Sequence, residues 1–304
     1  MVHQLSHCCC CPRQCGVDRL AGELGFCRVG HQALVAYAGL HRGEEPPISG
    51  NRGSGTIFFA GCNLRCVFCQ NYQISQKFQV SSVMHMDTEQ LAEAMLNLQA
   101  VGAHNINFVS PSHMVWQMAD AILSARAKGL ALPVVYNSNG YDSVETLRHI
   151  RGLVDIYLPD VKYMNNGLAR QYSGVSDYAD VVSGVLREML DQVGHLEVDS
   201  EGIARRGLIV RHLVLPGALE NSRQCLRLLA ERAPDVTISL MSQYSPQYRA
   251  SKYPVINRTL TSSEYDEVTE YALDLGLDNV FVQELASQDE YLPDFNRDEP
   301  FSER

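Results

Sequence analysis

The chain has 304 residues, 45% of them hydrophobic, and a formal net charge of −10. It contains no run of lysine or arginine, which argues against a nucleic acid as partner. No stretch approaches the ~20 apolar residues that cross a bilayer, and the first residues lack the pattern of an export signal. We therefore expect a cytoplasmic protein without a membrane partner.

Cysteine is concentrated in the first quarter of the chain. Nine of the ten cysteines lie within the first 69 residues. The tenth, Cys225, lies among the apolar residues of a predicted helix, and we assign it no chemistry. Disulfide frameworks run through small secreted domains, whereas clustered thiols in a long chain without an export signal indicate metal binding.

Residues 1–50 form a Cys-, Gly- and Pro-rich segment with a single strand candidate, Leu34–Ala38. Such a segment needs a metal or a host surface to be ordered. The candidate ligands have the pattern CxxCxxxC plus a distant fourth cysteine: Cys8, Cys11, Cys15 and Cys27. Four thiolates suit a zinc ion or an auxiliary iron–sulfur cluster, and the spacing leaves both open. Cys9 and Cys10 lie between the first pair and are expected to stay outside the ligand set.

From residue 51 short apolar runs alternate with longer stretches of helical periodicity. This alternation predicts βαβ units with a parallel sheet, and no glycine-rich dinucleotide turn is present. The predicted strands are Thr56–Phe59, Ile106–Val109, Val134–Tyr136, Ile156–Leu158, Leu208–Leu215, Thr237–Met241 and Val280–Gln283. The predicted helices are Thr88–Ala100, His113–Lys128, Ser143–Arg151, Ala179–Val193, Ser222–Arg232 and Ser262–Leu275.

The fold prediction is an α/β protein with three parts. Residues 51–285 are expected to form a partial (β/α)6-type TIM barrel, with residues 1–50 as a small metal-binding extension. Residues 286–304 are acidic, contain scattered proline and show no periodicity, so we expect a surface-hugging or mobile tail.

The segment GCNLRCVFCQN carries the most specific motif of the chain. Cys62, Cys66 and Cys69 form CxxxCxxC directly after the predicted strand TIFFAG, at the end where barrel active sites lie. Three thiolates in one loop can hold an iron–sulfur cubane and leave one iron open to a substrate. A structural zinc site normally takes four protein ligands, so it is the weaker alternative.

This motif, with the aromatic Phe68 before its third cysteine, resembles the signature of the radical S-adenosylmethionine superfamily. The wider pattern of GEEPPISG followed by GSGTIFFAGCNLRCVFCQNYQIS looks like the branch related to pyruvate formate-lyase activating enzymes. The resemblance implies a [4Fe-4S] cluster that cleaves S-adenosyl-L-methionine to a 5'-deoxyadenosyl radical, which then abstracts hydrogen from a substrate. It also implies an electron donor such as flavodoxin or ferredoxin.

The resemblance also assigns candidate residues at the ends of successive strands. The residues expected to bind the cofactor are Phe68, Ser110, Ser112, Asn137, Ser138, Asn139, Asp160, Lys162 and His212. Of these, Lys162, Asp160 and His212 are also the catalytic candidates.

Strand alternation places Asp160 and Lys162 on one face, which we expect to point into the barrel. By the resemblance His212 also faces inward, and Arg211 then points the other way. Gln243 and Tyr244 end the next strand at the same mouth and are candidates for the substrate side.

Several of these residues have a structural alternative. Ser112 could cap the following helix, and Asn139 could serve a plain turn with Gly140. Asp160 and Lys162 could form a buried structural ion pair, and His212 could be a satisfied core residue.

Three functions remain open at this point. The first is a radical enzyme that takes hydrogen from a protein or peptide, as activating enzymes do, and the resemblance alone supports that substrate. The second is a radical enzyme acting on a small molecule or a cofactor precursor. The third is a non-catalytic iron–sulfur or zinc module that scaffolds or transfers electrons.

Overall fold

We describe the protein from a computed structural model, which places residues 2–285 and 292–301. The strands are β1 (Ala33–His41), β2 (Ser54–Phe59), β3 (Met84–Met86), β4 (Ile106–Val109), β5 (Val134–Ser138), β6 (Ile156–Pro159), β7 (Glu197–Val198), β8 (Ala204–Leu213), β9 (Thr237–Met241) and β10 (Val280–Val282). None of the helices in the described part of the chain is long and apolar enough to cross a bilayer.

The α-helices lie in the connections between these strands. They are α1 (Pro46–Ser49), α2 (Tyr72–Ser75), α3 (Thr88–Ala100), α4 (Val115–Ala127), α5 (Val144–His149), α6 (Asn166–Ser173), α7 (Tyr178–Val193), α8 (Leu219–Arg232) and α9 (Ser262–Asp274). Local sequence defines their ends where a capping residue is present. Asp87 and Thr261 each complete a capping box that opens α3 and α9.

The sheet is parallel over its central and C-terminal strands. The spatial order is β10-β9-β8-β6-β5-β4-β2-β1-β3, and the seven strands from β10 to β2 all pair in parallel. The strands β1 and β3 add an antiparallel edge beside β2. Among the described residues β10 and β3 do not pair with each other, so the barrel is open. The observed α/β partial barrel agrees with the predicted fold class.

Three helices of the structure, α1, α2 and α6, have no counterpart in the predictions, and α6 is the longest of them. Between β6 and β8 the sequence predicts only the helix that the structure places at Tyr178–Val193, yet α6 precedes it. The side chain of Asn165 accepts hydrogen bonds from the amides of Gly167 and Leu168, and Gly174 ends the helix in the left-handed region. With eight residues beginning at Asn-Gly, α6 is too short for periodicity to reveal.

The loop between β1 and β2 enters the interior of the barrel. It carries α1, whose Ile48 is fully buried in an apolar cluster with residues of three strands, including Val135 of β5 and Ile156 of β6. The preceding residues Glu44 and Glu45 reach Arg211 of β8. The loop before β2 therefore contacts β5, β6 and β8 from inside the barrel.

The C-terminal residues 292–301 pack on β1 and β2. The ring of Phe295 lies 5.4 Å from that of Phe58, and the ring of Phe301 lies 5.7 Å from that of Tyr37, measured between centroids. The predicted tail thus lies partly against the face of the antiparallel edge that carries Phe58 and Tyr37. Its residues 286–291 and 302–304 lie outside the described residues.

Candidate active site

Three cysteines line one cavity at the carboxyl ends of the parallel strands. The chain leaves β2, turns at Gly61 and brings Cys62, Cys66 and Cys69 to a cavity of about 190 Å³. Gly61 has a φ of +80°, and a Cβ atom there would lie 2.6 Å from the carbonyl oxygen of Cys27. Only glycine fits this turn, because any side chain would strike the N-terminal segment.

Backbone hydrogen bonds from two directions hold the cysteine loop. The amide of Val67 donates to the carbonyl of Tyr172 at 2.8 Å, and the amide of Arg65 donates to that of Ser173 at 3.1 Å. From the other side, the Val67 carbonyl accepts from the amide of Arg249 at 2.8 Å. The end of α6 and the loop after β9 therefore set the path of the residues that carry the three thiols.

The three thiols are half-buried in the wall of the cavity. The Sγ atom of Cys66 is 3.1 Å from the hydroxyl of Ser173, and that of Cys69 is 3.3 Å from the hydroxyl of Ser75. Burial raises the pKa of Cys62 to about 12 and that of Cys69 to about 11. These thiols would ionise on binding a metal, whose positive charge favours thiolates.

Asp160 and Lys162 lie in the same cavity and form an ion pair. The Nζ atom of Lys162 is 2.5 Å from Oδ2 of Asp160, and both side chains are more than four-fifths buried. Burial alone lowers the pKa of Lys162, but the charge of Asp160 and its hydrogen bond outweigh burial and raise the pKa overall. Lys162 is therefore a fixed cation beside the thiols, in the orientation that alternation along β6 predicts.

Amide and hydroxyl side chains form the wall beside Cys62. The lining residues from the ends of β4 and β5 are Ser110, Asn137, Ser138 and Asn139. The side-chain amide of Asn139 lies 3.4 Å from the Sγ atom of Cys62 and donates to Oδ1 of Asn63 at 2.8 Å. Ser110 adopts a φ of +57°, which non-glycine residues seldom do outside sites under constraint.

Phe68, Gln243 and Tyr244 line the opposite side of the cavity. The rings of Phe68 and Tyr244 meet edge to face with centroids 5.6 Å apart. The carbonyl of Gln243 accepts a hydrogen bond from the side chain of Gln70 at 3.0 Å. The end of β9 thus lies against the cysteine loop, where the sequence predicts it.

Ser112 does not take part in the cavity. It is 2% exposed and lies in a single 3-10 turn, Pro111–His113, below the lining residue Ser110. The alternative role as a helix cap is also wrong, because α4 begins later and has Met114 at its N-cap position. The proline at position 111 favours the tight turn and delays the start of the helix.

His212 points away from the cavity, so the expectation that it faces inward is wrong. Its Nδ1 atom lies 2.6 Å from the carbonyl of Val161, and its Nε2 atom lies 2.9 Å from the hydroxyl of Ser222 on α8. Arg211 lines the cavity instead, and the expectation that it points outward is wrong too. The register decides this, because Arg211 pairs with Asp160 across the sheet, and paired residues share a face.

Arg211 is held by two acids that sequence reasoning missed. Its guanidinium donates to both oxygens of Glu45 at 2.7 Å each and also pairs with Glu44. Its Nη1 atom donates to Oδ1 of Asn137 at 3.2 Å. The NH₂ group of the Asn137 side chain therefore points away from Arg211. The segment GEEPPISG contains both acids, but nothing in its pattern reveals that it enters the barrel.

The N-terminal cysteines pack against this site. Cys9 and Cys15 are exposed, and the other four cysteines between residues 8 and 27 are buried. The Sγ atoms of Cys8 and Cys10 are 3.5 Å apart, so Cys10 packs within the group although the spacing sets it outside. The Nε atom of Arg13 donates to the carbonyl of Asn63 at 2.9 Å, which joins this segment to the cysteine loop.

Neither cysteine group is arranged as a finished metal site. Within residues 2–285 and 292–301, no three cysteine, histidine, aspartate or glutamate side chains stand ready to hold a metal ion. This holds for the N-terminal group and for the loop at residues 62–69 alike.

Two sequence comparisons match this chain over the site. Residues 56–193 match the model of a family described as the radical SAM superfamily. An uncharacterized protein of Methanocaldococcus jannaschii is 32% identical over 278 residues, which cover 89% of this chain and 75% of that protein. The family match extends from β2 to α7 and includes the three cysteines of the loop, Asp160 and Lys162.

Solved structures match at the level of the fold. Methylornithine synthase is similar with a TM-score of 0.51 and 16% identity, over 78% of this chain and 66% of that chain. The structure of Streptococcus suis SuiB bound to S-adenosylmethionine is similar with a TM-score of 0.52 and 12% identity, over 78% of this chain and 52% of that one. This chain spans about half to two-thirds of their lengths. The likeness confirms the predicted α/β partial barrel.

Proposed function

This chain belongs to the radical SAM superfamily, and we propose that it is an enzyme that binds a [4Fe-4S] cluster through Cys62, Cys66 and Cys69. When bound, the reduced cluster supplies the electron that cleaves S-adenosyl-L-methionine, and the resulting 5'-deoxyadenosyl radical removes a hydrogen atom from the substrate. The donor set of the cavity carries this proposal. Three thiols in one cavity fit a cubane cluster that leaves one iron open.

The remaining lining residues suit the amino-acid part of S-adenosyl-L-methionine. Lys162 would hold the carboxylate and Asp160 the ammonium group, since each offers the opposite charge. Asn137 would add an N–H donor, because its carbonyl oxygen is already bound by Arg211. Burial of this ion pair keeps water away from the charges and strengthens the contacts. His212 would act through the backbone of Val161, as a positioning residue.

We propose a protein or peptide as the hydrogen donor, in the manner of the activating enzymes that the sequence resembles. A second cavity of about 220 Å³ adjoins the first, and Gln70 lines both. Gln247 also lines it, as do Gln73 and Asn296, whose side-chain amides donate to Asp294 in the same wall. Neutral amide side chains both donate and accept hydrogen bonds, as the peptide groups of an extended chain require.

An acidic one-electron carrier such as flavodoxin or ferredoxin is the proposed electron donor. Four exposed cations border the cysteine loop: Arg28, Lys77, Arg249 and Lys252. The Nζ atom of Lys77 and the guanidinium of Arg249 lie 5.5 Å and 4.9 Å from the ring centre of Tyr248. None of the four cations pairs with a carboxylate of the described residues. On a protein of net charge −10, this cationic patch favours an acidic partner.

Two measurements test the proposal. Addition of S-adenosyl-L-methionine to the reduced, reconstituted protein should change the electron paramagnetic resonance spectrum of the cluster, and an unchanged spectrum would contradict binding at an open iron. For the substrate class, a fully deuterated cell extract is divided into a macromolecular and a small-molecule fraction. Deuterium should pass from the macromolecular fraction into 5'-deoxyadenosine. Deuterium transfer from the small-molecule fraction alone would contradict a peptide substrate and would indicate a metabolite as the hydrogen donor.

A further inference from the structure

A fully buried arginine lies against the N-terminal cysteines. Arg19 is 0% exposed, its Nε atom donates to the carbonyl of Gly30 at 2.8 Å, and its Nη1 atom donates to that of His113 at 2.8 Å. The same Nη1 atom is 3.8 Å from the Sγ atom of Cys8. In the part of the chain that the structure describes, no carboxylate pairs with this guanidinium.

A buried guanidinium needs a negative charge nearby, because carbonyl groups solvate it without neutralising it. The acidic side chains that usually provide this charge are replaced here by thiols. We propose that the N-terminal segment binds a metal centre through four thiolates, of Cys8, Cys11, Cys15 and Cys27, and that Arg19 balances its charge. A zinc ion or an oxidised [4Fe-4S] cluster, each held by four thiolates, carries two net negative charges.

The backbone brings these cysteines together. The amide of Cys8 donates to the carbonyl of Val17 at 3.0 Å, and the amide of Gly16 donates to that of Cys8 at 3.0 Å, which sets Cys8 beside Cys15. A tight turn follows Cys11, whose carbonyl accepts from the amide of Gln14 at 3.0 Å. These backbone bonds fold the segment that carries Cys8, Cys11 and Cys15 back on itself.

The fourth cysteine lies in a turn in which Gly25 leaves room for the thiol of Cys15. A Cβ atom at Gly25 would lie 2.5 Å from the Sγ atom of Cys15, so the bare backbone of this residue allows the thiol to approach. The amide of Arg28 donates to the Gly25 carbonyl at 3.0 Å, and this turn carries the buried Cys27. The thiol of Cys15 is thereby held against the segment that contributes the last ligand.

This centre would also fix the neighbouring active-site loop. The carbonyl of Cys27 occupies the space beside Gly61, and Arg13 binds the backbone of Asn63. Both contacts fall within one residue of Cys62. The metal would therefore staple a segment without helices or strands, residues 8–32, onto the loop that carries the first cluster.

The test uses the full chain with Cys62, Cys66 and Cys69 replaced by alanine, so that metal at the first site does not interfere. This parent is produced with zinc and iron both supplied and handled without oxygen, and its zinc, iron and acid-labile sulfide are measured. We expect about one zinc per chain, or about four irons with sulfide, and the sulfide separates the two metals. A parent that holds neither metal overturns the proposal.

Single substitutions in this parent locate the site. Cys11→Ser should lose the metal, whereas Cys9→Ser, at an exposed neighbour, should retain it. Arg19→Gln should hold the metal less tightly, because the balancing charge is gone. We expect a chelator to remove the metal from this variant at a concentration about tenfold lower than the parent requires. If Arg19→Gln does not fold, the comparison of Cys11→Ser with Cys9→Ser still tests the site. A Cys11→Ser protein that keeps its full metal content contradicts the assignment. None of these readouts depends on cleavage of S-adenosyl-L-methionine.

Discussion

Arg211 and Glu45 form a two-point ion pair inside the barrel, with Nε and Nη2 of the arginine each 2.7 Å from one oxygen of the carboxylate. The residues are 166 positions apart, and the pair ties the loop before β2 to β8. Burial raises the pKa of Glu45, but the Arg211 charge outweighs burial and lowers it overall. The pair also orients Asn137 in the cavity wall through the same guanidinium.

Glu45→Gln should destabilise the protein by about 3 kcal/mol, because it leaves part of a buried cation unpaired. Urea unfolding of the variant and the wild type measures this difference. Glu89→Gln is the matched control, since Glu89 pairs with Lys128 on the surface and its loss should change the unfolding free energy little. Equal effects of the two substitutions would contradict the structural role of the buried pair.

Lys162→Ala should weaken the binding of S-adenosyl-L-methionine by about 10- to 100-fold, since a charge-assisted contact is lost. The iron content should stay at the wild-type level, because the three thiols are untouched. Equilibrium binding to the reconstituted, unreduced protein measures the affinity, with the exposed Lys128→Ala as control. An unchanged affinity in Lys162→Ala would leave the Asp160–Lys162 pair a structural ion pair only.

Acid should destabilise the protein through His212. Burial lowers the pKa of its imidazole to about 4, whereas the unfolded chain titrates near pH 6.5. Between these values the unfolded chain binds more protons, so the free energy of unfolding rises with pH, by up to about 3 kcal/mol for this residue. The contribution is complete above pH 6.5 and is lost as the pH falls toward 4.

His212→Gln should remove this share of the pH dependence, and unfolding curves at a series of pH values measure it. The exposed His85→Gln serves as control. His113, also buried and with its pKa lowered to about 4, should leave a remaining slope in both variants. A His212→Gln protein with the full wild-type slope would show that the imidazole is not held neutral.

Reversal of the cationic patch should slow electron delivery. We expect Lys77→Glu/Arg249→Glu to reduce the rate constant for cluster reduction by reduced flavodoxin at least about tenfold at low salt, and we expect the wild-type rate to fall with rising salt. The control Arg187→Glu/Arg232→Glu changes the net charge equally at two exposed positions of α7 and α8. A small-molecule reductant should reduce all three proteins alike. Equal rates with flavodoxin for both double variants would rule out the patch as the docking surface.

Much of the barrel could be predicted because its elements are locally encoded. The structure places β4, β9 and α3 at the predicted residues, Ile106–Val109, Thr237–Met241 and Thr88–Ala100. Each is a buried apolar run or a capped amphipathic stretch, so its own sequence defines both ends. The short helix α6 lacks such a signal, although it holds the cysteine loop.

The sequence predicts the site only where the alternation of side chains along a single strand determines which way a residue points. Alternation places Asp160 with Lys162 on one face, and the structure agrees. For Arg211 and His212, alternation says only that they point in opposite directions, and the pairing of Arg211 with Asp160 decides which one faces the cavity. The contact of Glu45 with Arg211 is equally non-local, so no motif within either segment could reveal it.

Formation of 5'-deoxyadenosine tests the central claim most directly. The wild-type protein, reconstituted with iron and sulfide without oxygen, is given reductant and S-adenosyl-L-methionine, and the product is quantified by chromatography. We predict 5'-deoxyadenosine from the wild type and from Cys225→Ala, whose cysteine lies buried in α8, and only background from Cys66→Ala. Wild-type protein that yields no more product than Cys66→Ala would contradict a radical enzyme built on this cysteine loop.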